Sequence, residues 1–308
     1  MARAPDLSFT EPARLSISPL PAMANKDDTE TYILLLLSDS NLPTGSFVAS
    51  AGLESHVKHG FASLSASPVQ ATVDFVRDSL GSYAKSALPF VSDAHRTVER
   101  FASCLEQEDG GEGFLQDTLD KLTELDELYQ VMTLNHVARR ASVAQGVALL
   151  TLYSRGFSRP PTLSAFSAKE SRADESQMSR LLNQFKLKVR REEVPGHLPI
   201  CWGVLTAALG LKLERAQYLY LFLHARGLLS AAVRLNDLGP YGAQQILLHA
   251  VRPLVAAETE RCKILRTGLL QGSDDGFDDT LSGPANTWPL GEILAGRHDL
   301  QHSRIFNS

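Results

Sequence analysis

Cysteine is scarce in this chain: Cys104, Cys201 and Cys262 are the only three, far apart and without a C-x-x-C pair. That spacing excludes a disulfide framework and a thiolate zinc site, and it fits free thiols in a reducing compartment, so a cytoplasmic location is expected. No G-x-x-x-x-G-K-[ST] run occurs, and without that phosphate cradle and its lysine the chain is not expected to hydrolyse nucleotide by itself. Also missing are a G-x-S-x-G elbow, an H-E-x-x-H pair and the Glu-x-x-His pairs of carboxylate-bridged dimetal bundles, so little supports an enzyme. Aromatic residues make up 7% of the chain and no basic stripe is interleaved with them; with a net charge of −5 this argues against a general nucleic-acid binder. The same acidity disfavours a membrane-surface adaptor, which needs a basic amphipathic face. The apolar run from Tyr32 to Leu37 is far shorter than the roughly 18 to 20 residues a membrane span requires, so a buried helix is expected there.

What is present is a pattern for helices. The 308 residues are 44% hydrophobic, and a chain of this size buries roughly three quarters of its unfolded surface. The opening MARAPDLSFTEPARLSISPLPAM lacks the continuous apolar core of a secretory leader; a disordered arm over residues 1–28 is expected, with an organelle transit peptide as the weaker alternative. From there the three-and-four spacing of apolar residues predicts helix after helix, with no period-2 strand pattern in competition. Val73, Val76, Leu80, Tyr83, Ala84 and Ala87 form one stripe that Pro89 is expected to halt. Phe90, Ala94, Val98 and Phe101 form the next. An acidic, glycine-rich loop is expected from Glu106 to Gly113, then one long helix or two with a break up to Leu150. Arg155 to Arg180 reads as a mobile surface insert. Helices follow at Ile200–Leu211 and Glu214–Leu235, and Pro253 is expected to bend or divide the segment opened by Pro240. The expected architecture is all-α: a single compact multi-helix domain over residues 29–271, an acidic flexible linker over 272–289 and a tail over 290–308.

The stretch around which the chain is organised is LLLLSDSNLPTGSFVASAGLE, Leu34 to Glu54. Pro43 fixes φ and Gly45 permits conformations other residues resist, so a helix is expected to run into a turn there and a second to leave it, with Ser46 as candidate N-cap. Ser46, Ser50 and Gly52 leave little bulk on the second segment, so another backbone can approach closely.

Asp39, Ser40, Leu42, Pro43, Gly45, Phe47, Ser50, Gly52, Leu53 and Glu54 resemble the opening signature of the UreF family of urease accessory proteins. Further matches follow in order. Arg139, Ala141, Ser142 and Gly146 resemble its R-x-A-S and glycine pattern; His197, Pro199 and Gly203 its His-x-Pro segment; Ala231, Ala232, Arg234, Leu235, Gly239, Gln244 and Leu247 its A-x-R-L, glycine and Gln-x-x-L stretch. His298, Asp299, Leu300, Ser303, Arg304, Phe306 and Ser308 resemble its ending, with Ile305 in place of the usual Leu. The resemblance implies a non-catalytic urease chaperone, a homodimer that binds a UreD (UreH) accessory protein and recruits the GTPase UreG and the urease apoprotein for nickel insertion. It implies partner-binding roles for Ser40, Pro43, Gly45, Glu54, Arg234, Gln244, His298, Leu300, Arg304 and Phe306. No catalytic residue, resident metal or cofactor is expected, and nickel is at most handled transiently; no nucleic-acid or membrane partner is expected either. A helical metal-binding protein or metalloenzyme is the rival reading.

The residues that rival would use have plainer explanations. His56 and His59, three apart, share a helix face and suit a borderline metal, but two imidazoles do not complete a site. His298 and His302 make a similar pair in the tail, and Pro199 between His197 and Cys201 favours a core or cap role for that pair. Arg234, set among apolar residues, is expected to pair with a carboxylate or helix-end carbonyls or to meet a partner. Glu54 and Lys58 are spaced for an i,i+4 pair. A free tail exposing Leu300, Ile305 and Phe306 gains by burying them on another protein.

Overall fold

The computed structural model describes residues 26–39, 42–43, 49–106, 112–157, 173–270, 277–301 and 305–306. Among them there is helix and no strand. The elements in order are α1 (Lys26–Leu37), α2 (Leu53–Lys58), α3 (Pro68–Glu106), α4 (Glu112–Met132), α5 (His136–Leu152) and α6 (Ala173–Arg190). Then come α7 (Leu198–Ala208), α8 (Leu213–Arg234), α9 (Pro240–Ile246), α10 (Arg252–Cys262), α11 (Asp279–Ser282) and α12 (Pro289–Gly296).

The 39-residue α3 is about 58 Å long at the α-helical rise and forms the axis of the domain. Its stripe from Phe75 and Val76 through Leu80, Phe90, Val91 and Val98 to Phe101 is buried. Helices α4, α7, α8 and α10 pack around it. Against expectation, Pro89 does not halt this helix. A proline leaves the carbonyl four residues earlier without a donor, and here that carbonyl, on Lys85, faces the amide of Ala285 at 3.4 Å. A long-range contact thus takes the place of the lost helical bond. At Pro253 the chain is divided as expected: a π-helical turn, Leu247–Val251, separates α9 from α10, and the ring sits in the first turn of α10, where no donor is needed.

The periodic stretch after the acidic loop proves to be two helices. Asn135 makes the break, because its side chain accepts from the amides of Val137 and Ala138 and so caps α5. At the amino end the expectation of a buried helix over Tyr32–Leu37 is only half right. Leu37 is buried, whereas Tyr32, Leu35 and Leu36 are exposed. Polar contacts hold α1 instead: buried Glu30 accepts from the Lys212 amide at 2.8 Å, at the start of α8.

Ser46 and residues 158–172 of the expected insert lie outside the described residues; α6 begins at Ala173. From residue 277 on, the stretch read as a linker is tied down. Asp278 caps α11, and Asn286 accepts from Ser82 on α3 at 3.1 Å.

Candidate partner-docking site

Two clusters gather the sequence motifs. The first is an interior junction between α4, α5 and the start of α7. Gly146 on α5 lies so close to the chain before α7 that a Cβ would stand 2.1 Å from the Gly196 carbonyl. The R-x-A-S and His-x-Pro motifs are therefore one packing unit. Asp126, wholly buried on α4, accepts from the amides of Gly196 at 2.6 Å and His197 at 2.7 Å. Burial pushes its carboxyl up to about 6, and the two amide bonds hold back part of that rise. The His197 ring meets Ser142 Oγ at 3.2 Å through Nδ1 and Gln130 Oε1 at 2.7 Å through Nε2. The Ser142 hydroxyl also accepts from the Leu198 amide at 3.0 Å. Burial, aided by the charge of Arg139, lowers His197 to about 4, so the imidazole is neutral and Nε2–H donates to Gln130. His197 is thus a core residue in the cap position of α7, and Cys201 beside it is a buried thiol.

The second cluster is a carboxy-terminal strap, α12 with the 3-10 turn Arg297–Leu300 and residues 305–306, laid across α2 and the start of α5. Gly52 makes the close approach possible. Its φ of +90° is a left-handed value, and a Cβ there would meet the Ala295 amide nitrogen at 3.0 Å. Polar contacts fasten the strap along its length. Asn135 donates to the Glu292 carbonyl at 2.9 Å, Arg297 to His59 Nε2 at 2.9 Å, and Gln301 to Ser55 Oγ. Asp299 is held in a bidentate pair by Arg140 at 2.8 and 3.1 Å, with His136 Nε2 at 3.0 Å. The Arg140 hydrogen bonds hold its carboxyl well below the usual carboxylate range.

At the far end of the strap Glu54, wholly buried, accepts from the Ile305 amide and pairs with Lys58, both at 2.9 Å. Buried His298 places Nδ1 at 3.8 Å from the other carboxylate oxygen. The Arg234 guanidinium lies over the Phe306 ring, 5.0 Å from its centroid. A cavity of about 660 Å³ runs beneath the strap, bordered by Tyr83, Met132, Tyr220, His224, Trp288 and Ile293. On its wall His224 Nε2 meets Ser79 Oγ at 3.0 Å, and burial lowers this imidazole, too, to about 4.

Of the residues singled out from sequence, Glu54, Arg234, His298 and Phe306 therefore meet in one cluster within the chain, with Leu300 next to it. Phe306 is 1% exposed and belongs to this chain's core, which corrects the expectation that a free tail exposes it; Leu300 and Ile305 are 72% and 50% exposed. Pro43 and Gln244 are exposed and make none of these contacts. Ser40, Gly45, Arg304 and His302 lie outside the described residues. His56 stacks on Phe61 and meets Phe75 edge-on, while His59 receives Arg297, so that pair is engaged otherwise. Asp126, Gln130, Asn135 and Arg140 were missed from sequence. Only Asn135, placed just before an apolar-periodic run, carried a readable cap signal.

Fold and site together define an all-α protein whose polar side chains clasp its own helices and hold its carboxy-terminal strap in place. The comparisons place it more narrowly. The UreF family profile matches residues 69–251. The chain is 42% identical to urease accessory protein 6 of Cryptococcus neoformans var. grubii, over 93% of this chain and 100% of that protein. It is 30% identical to an uncharacterized urease accessory protein UreF-like of Schizosaccharomyces pombe, over 91% and 98% of the two chains. Against urease accessory protein F of Oryza sativa subsp. japonica it is 29% identical, over 88% and 82%. The chain belongs to the UreF family. It is accordingly a urease accessory protein with a role in urease maturation, a helper and not an enzyme. Among the described residues no helix is long and apolar enough to cross a membrane, and no three His, Cys, Asp or Glu side chains gather as a metal cluster.

Proposed function

We propose that the chain is a non-catalytic scaffold that joins a UreD-type (UreH-type) accessory protein, a UreG-type GTPase and the urease apoprotein, and so supports insertion of nickel into urease. The strap carries this reading. Leu300 and Ile305 are exposed while His298 and Phe306, close by in sequence, are anchored inside. Two apolar side chains thus stand on a backbone already ordered, which lowers the entropy cost of docking. In this reading the UreD-type protein covers the strap edge, and the UreG-type GTPase docks on a surface that includes the dimer region of a homodimer. Nickel passes as cargo and has no resident site in the chain, and the work is done in the cytoplasm.

The test is co-expression of the intact chain, and of a form lacking Leu300 to Ser308, with UreD-type and UreG-type proteins, followed by size-exclusion chromatography with mass determination. A stoichiometric complex formed by the intact chain and lost with the truncation is the expected result. An intact chain that elutes alone beside folded, soluble partners sinks the scaffold reading.

A further inference from the structure

Charge is unevenly spread along this chain. Between Arg155 and Arg191 stand nine Lys and Arg against three Asp and Glu, in a protein whose net charge is −5. The fold draws part of that excess together. Lys186 and Arg190 are one turn apart on α6, and Arg155 joins them from the π-helical turn Tyr153–Phe157 at the end of α5. Lys186 Nζ donates to Ser154 Oγ at 2.5 Å, which fixes it beside Arg155. Arg155 and Arg190 are exposed, and among the described residues no carboxylate forms an ion pair with Arg155, Lys186, Lys188 or Arg190. Several exposed cations elsewhere do have carboxylate partners: Arg77 pairs with Asp74, Lys121 with Asp117 and Arg261 with Glu258. Burial, and then the like charges of Arg155 and Arg190, lower the Lys186 ammonium from its ordinary value. That mutual repulsion is a cost an anionic partner relieves.

We propose that the Arg155, Lys186 and Arg190 surface is a docking site for an acidic protein segment. Two features select a protein over other polyanions. Leu181, Leu182, Phe185 and Val189 of α6 are buried in the core and Leu187 alone of its large apolar side chains is exposed, so the helix has no continuous apolar face to insert into a bilayer. Phe185, the only aromatic residue of α6, is buried, and Tyr153 and Phe157 beside Arg155 are half-buried against the core, so no aromatic ring stands fully exposed for nucleobases to stack on among these cations. Leu187, 44% exposed between Lys186 and Lys188, offers the apolar contact that an acidic amphipathic segment covers.

The test uses the full-length chain and a fluorescein-labelled 16-residue peptide of Glu and Ala, read by anisotropy. Binding is expected at low salt, weakening as ionic strength rises from about 50 to 300 mM, because exposed charges are screened within a Debye length. The triple reversal Arg155→Glu, Lys186→Glu, Arg190→Glu is expected to weaken binding about tenfold or more, as electrostatic complementarity turns to repulsion. A matched reversal of Arg77, Lys121 and Arg261 to Glu changes it less than about twofold, since those sites lie outside the patch. Circular dichroism checks that each variant is folded, and the milder triple change to Gln, expected to fall between the two, supplies the same reading if the reversal unfolds. Equal weakening by both triple reversals, or no peptide binding by the native chain, overturns the proposal. Tighter binding of polyuridine or of phosphatidylserine vesicles than of the peptide overturns it as well.

Discussion

The Asp126 junction and the Asp299 end of the carboxy-terminal strap are each built around a carboxylate and an imidazole, in opposite surroundings. At the junction Asp126 and His197 are wholly buried. There burial raises the carboxyl and lowers the imidazole, each toward its neutral form. Along the strap the Asp299 side chain is 29% exposed between two cationic partners, and its carboxylate is held ionised. The first arrangement has no water to replace a broken bond, so opening it leaves orphaned amides in the core. The Asp299 contacts compete with solvent and salt, so that part of the strap opens at small cost. One is a lock that fixes the fold, and the other is a clasp whose outer contacts exchange with solvent.

The sharpest way to break that contrast is to remove the lock. Asp126→Ala leaves the Gly196 and His197 amides unpaired and is expected to cost about 2 to 4 kcal/mol of unfolding free energy in a urea titration. A loss under about 0.5 kcal/mol, the scale of an ordinary surface change, ends the distinction. Acid comes next. His197 and His224 have folded values near 4, below the unfolded imidazole value of about 6.5. The stability of their neutral forms is fully present above pH 6.5 and is lost as pH falls toward 4. Asp126, raised in the fold, works in the opposite direction and regains stability as pH falls below about 6. Two imidazoles outweigh one carboxyl, so these three groups together contribute a net loss of roughly 3 kcal/mol between pH 6.5 and 4. His224→Gln is expected to flatten that slope; an unchanged slope removes His224 from the account.

The strap responds more gently. Phe306→Ala removes a buried ring and its Arg234 contact and is expected to favour local opening by about 2 kcal/mol. Faster amide hydrogen exchange in α12, with α3 unchanged, is the signature; exchange speeded equally in α3 and α12 contradicts a local clasp. Smallest is Asp299→Asn, with less than about 1 kcal/mol on global stability. Its mark is that α12 exchange no longer responds to salt as it does in the native chain. If α12 exchange in the native chain is itself insensitive to salt, the strap is no clasp.

Much of the helical plan was legible, since amphipathic spacing reports a burial pattern that each helix carries within itself. The capping of α5 by Asn135 is equally local. Pro89 was misread because the acceptor it strands is met by Ala285, almost two hundred positions away, and no window on the sequence contains both. Tyr32 and Leu35 were misread for the converse reason: their helix is anchored through Glu30 to the start of α8, and apolar content alone does not report that tether. The cationic surface near Lys186 was hidden by averaging, because a net charge of −5 conceals a strongly basic interval.

Sequence by itself determined that the chain is helical, that its thiols form no disulfide framework, and that its separated motifs follow one family's order. Each of these depends on residue identity and short spacing alone. Tertiary structure decided that Glu54, His298, Phe306 and Arg234 form one clasp and that Asp126 locks the start of α7. Such contacts join residues from about 70 to 250 positions apart. Which distant carboxylate meets which amide is fixed by the packing of whole helices, through close approaches at Gly52 and Gly146 that only the assembled fold creates.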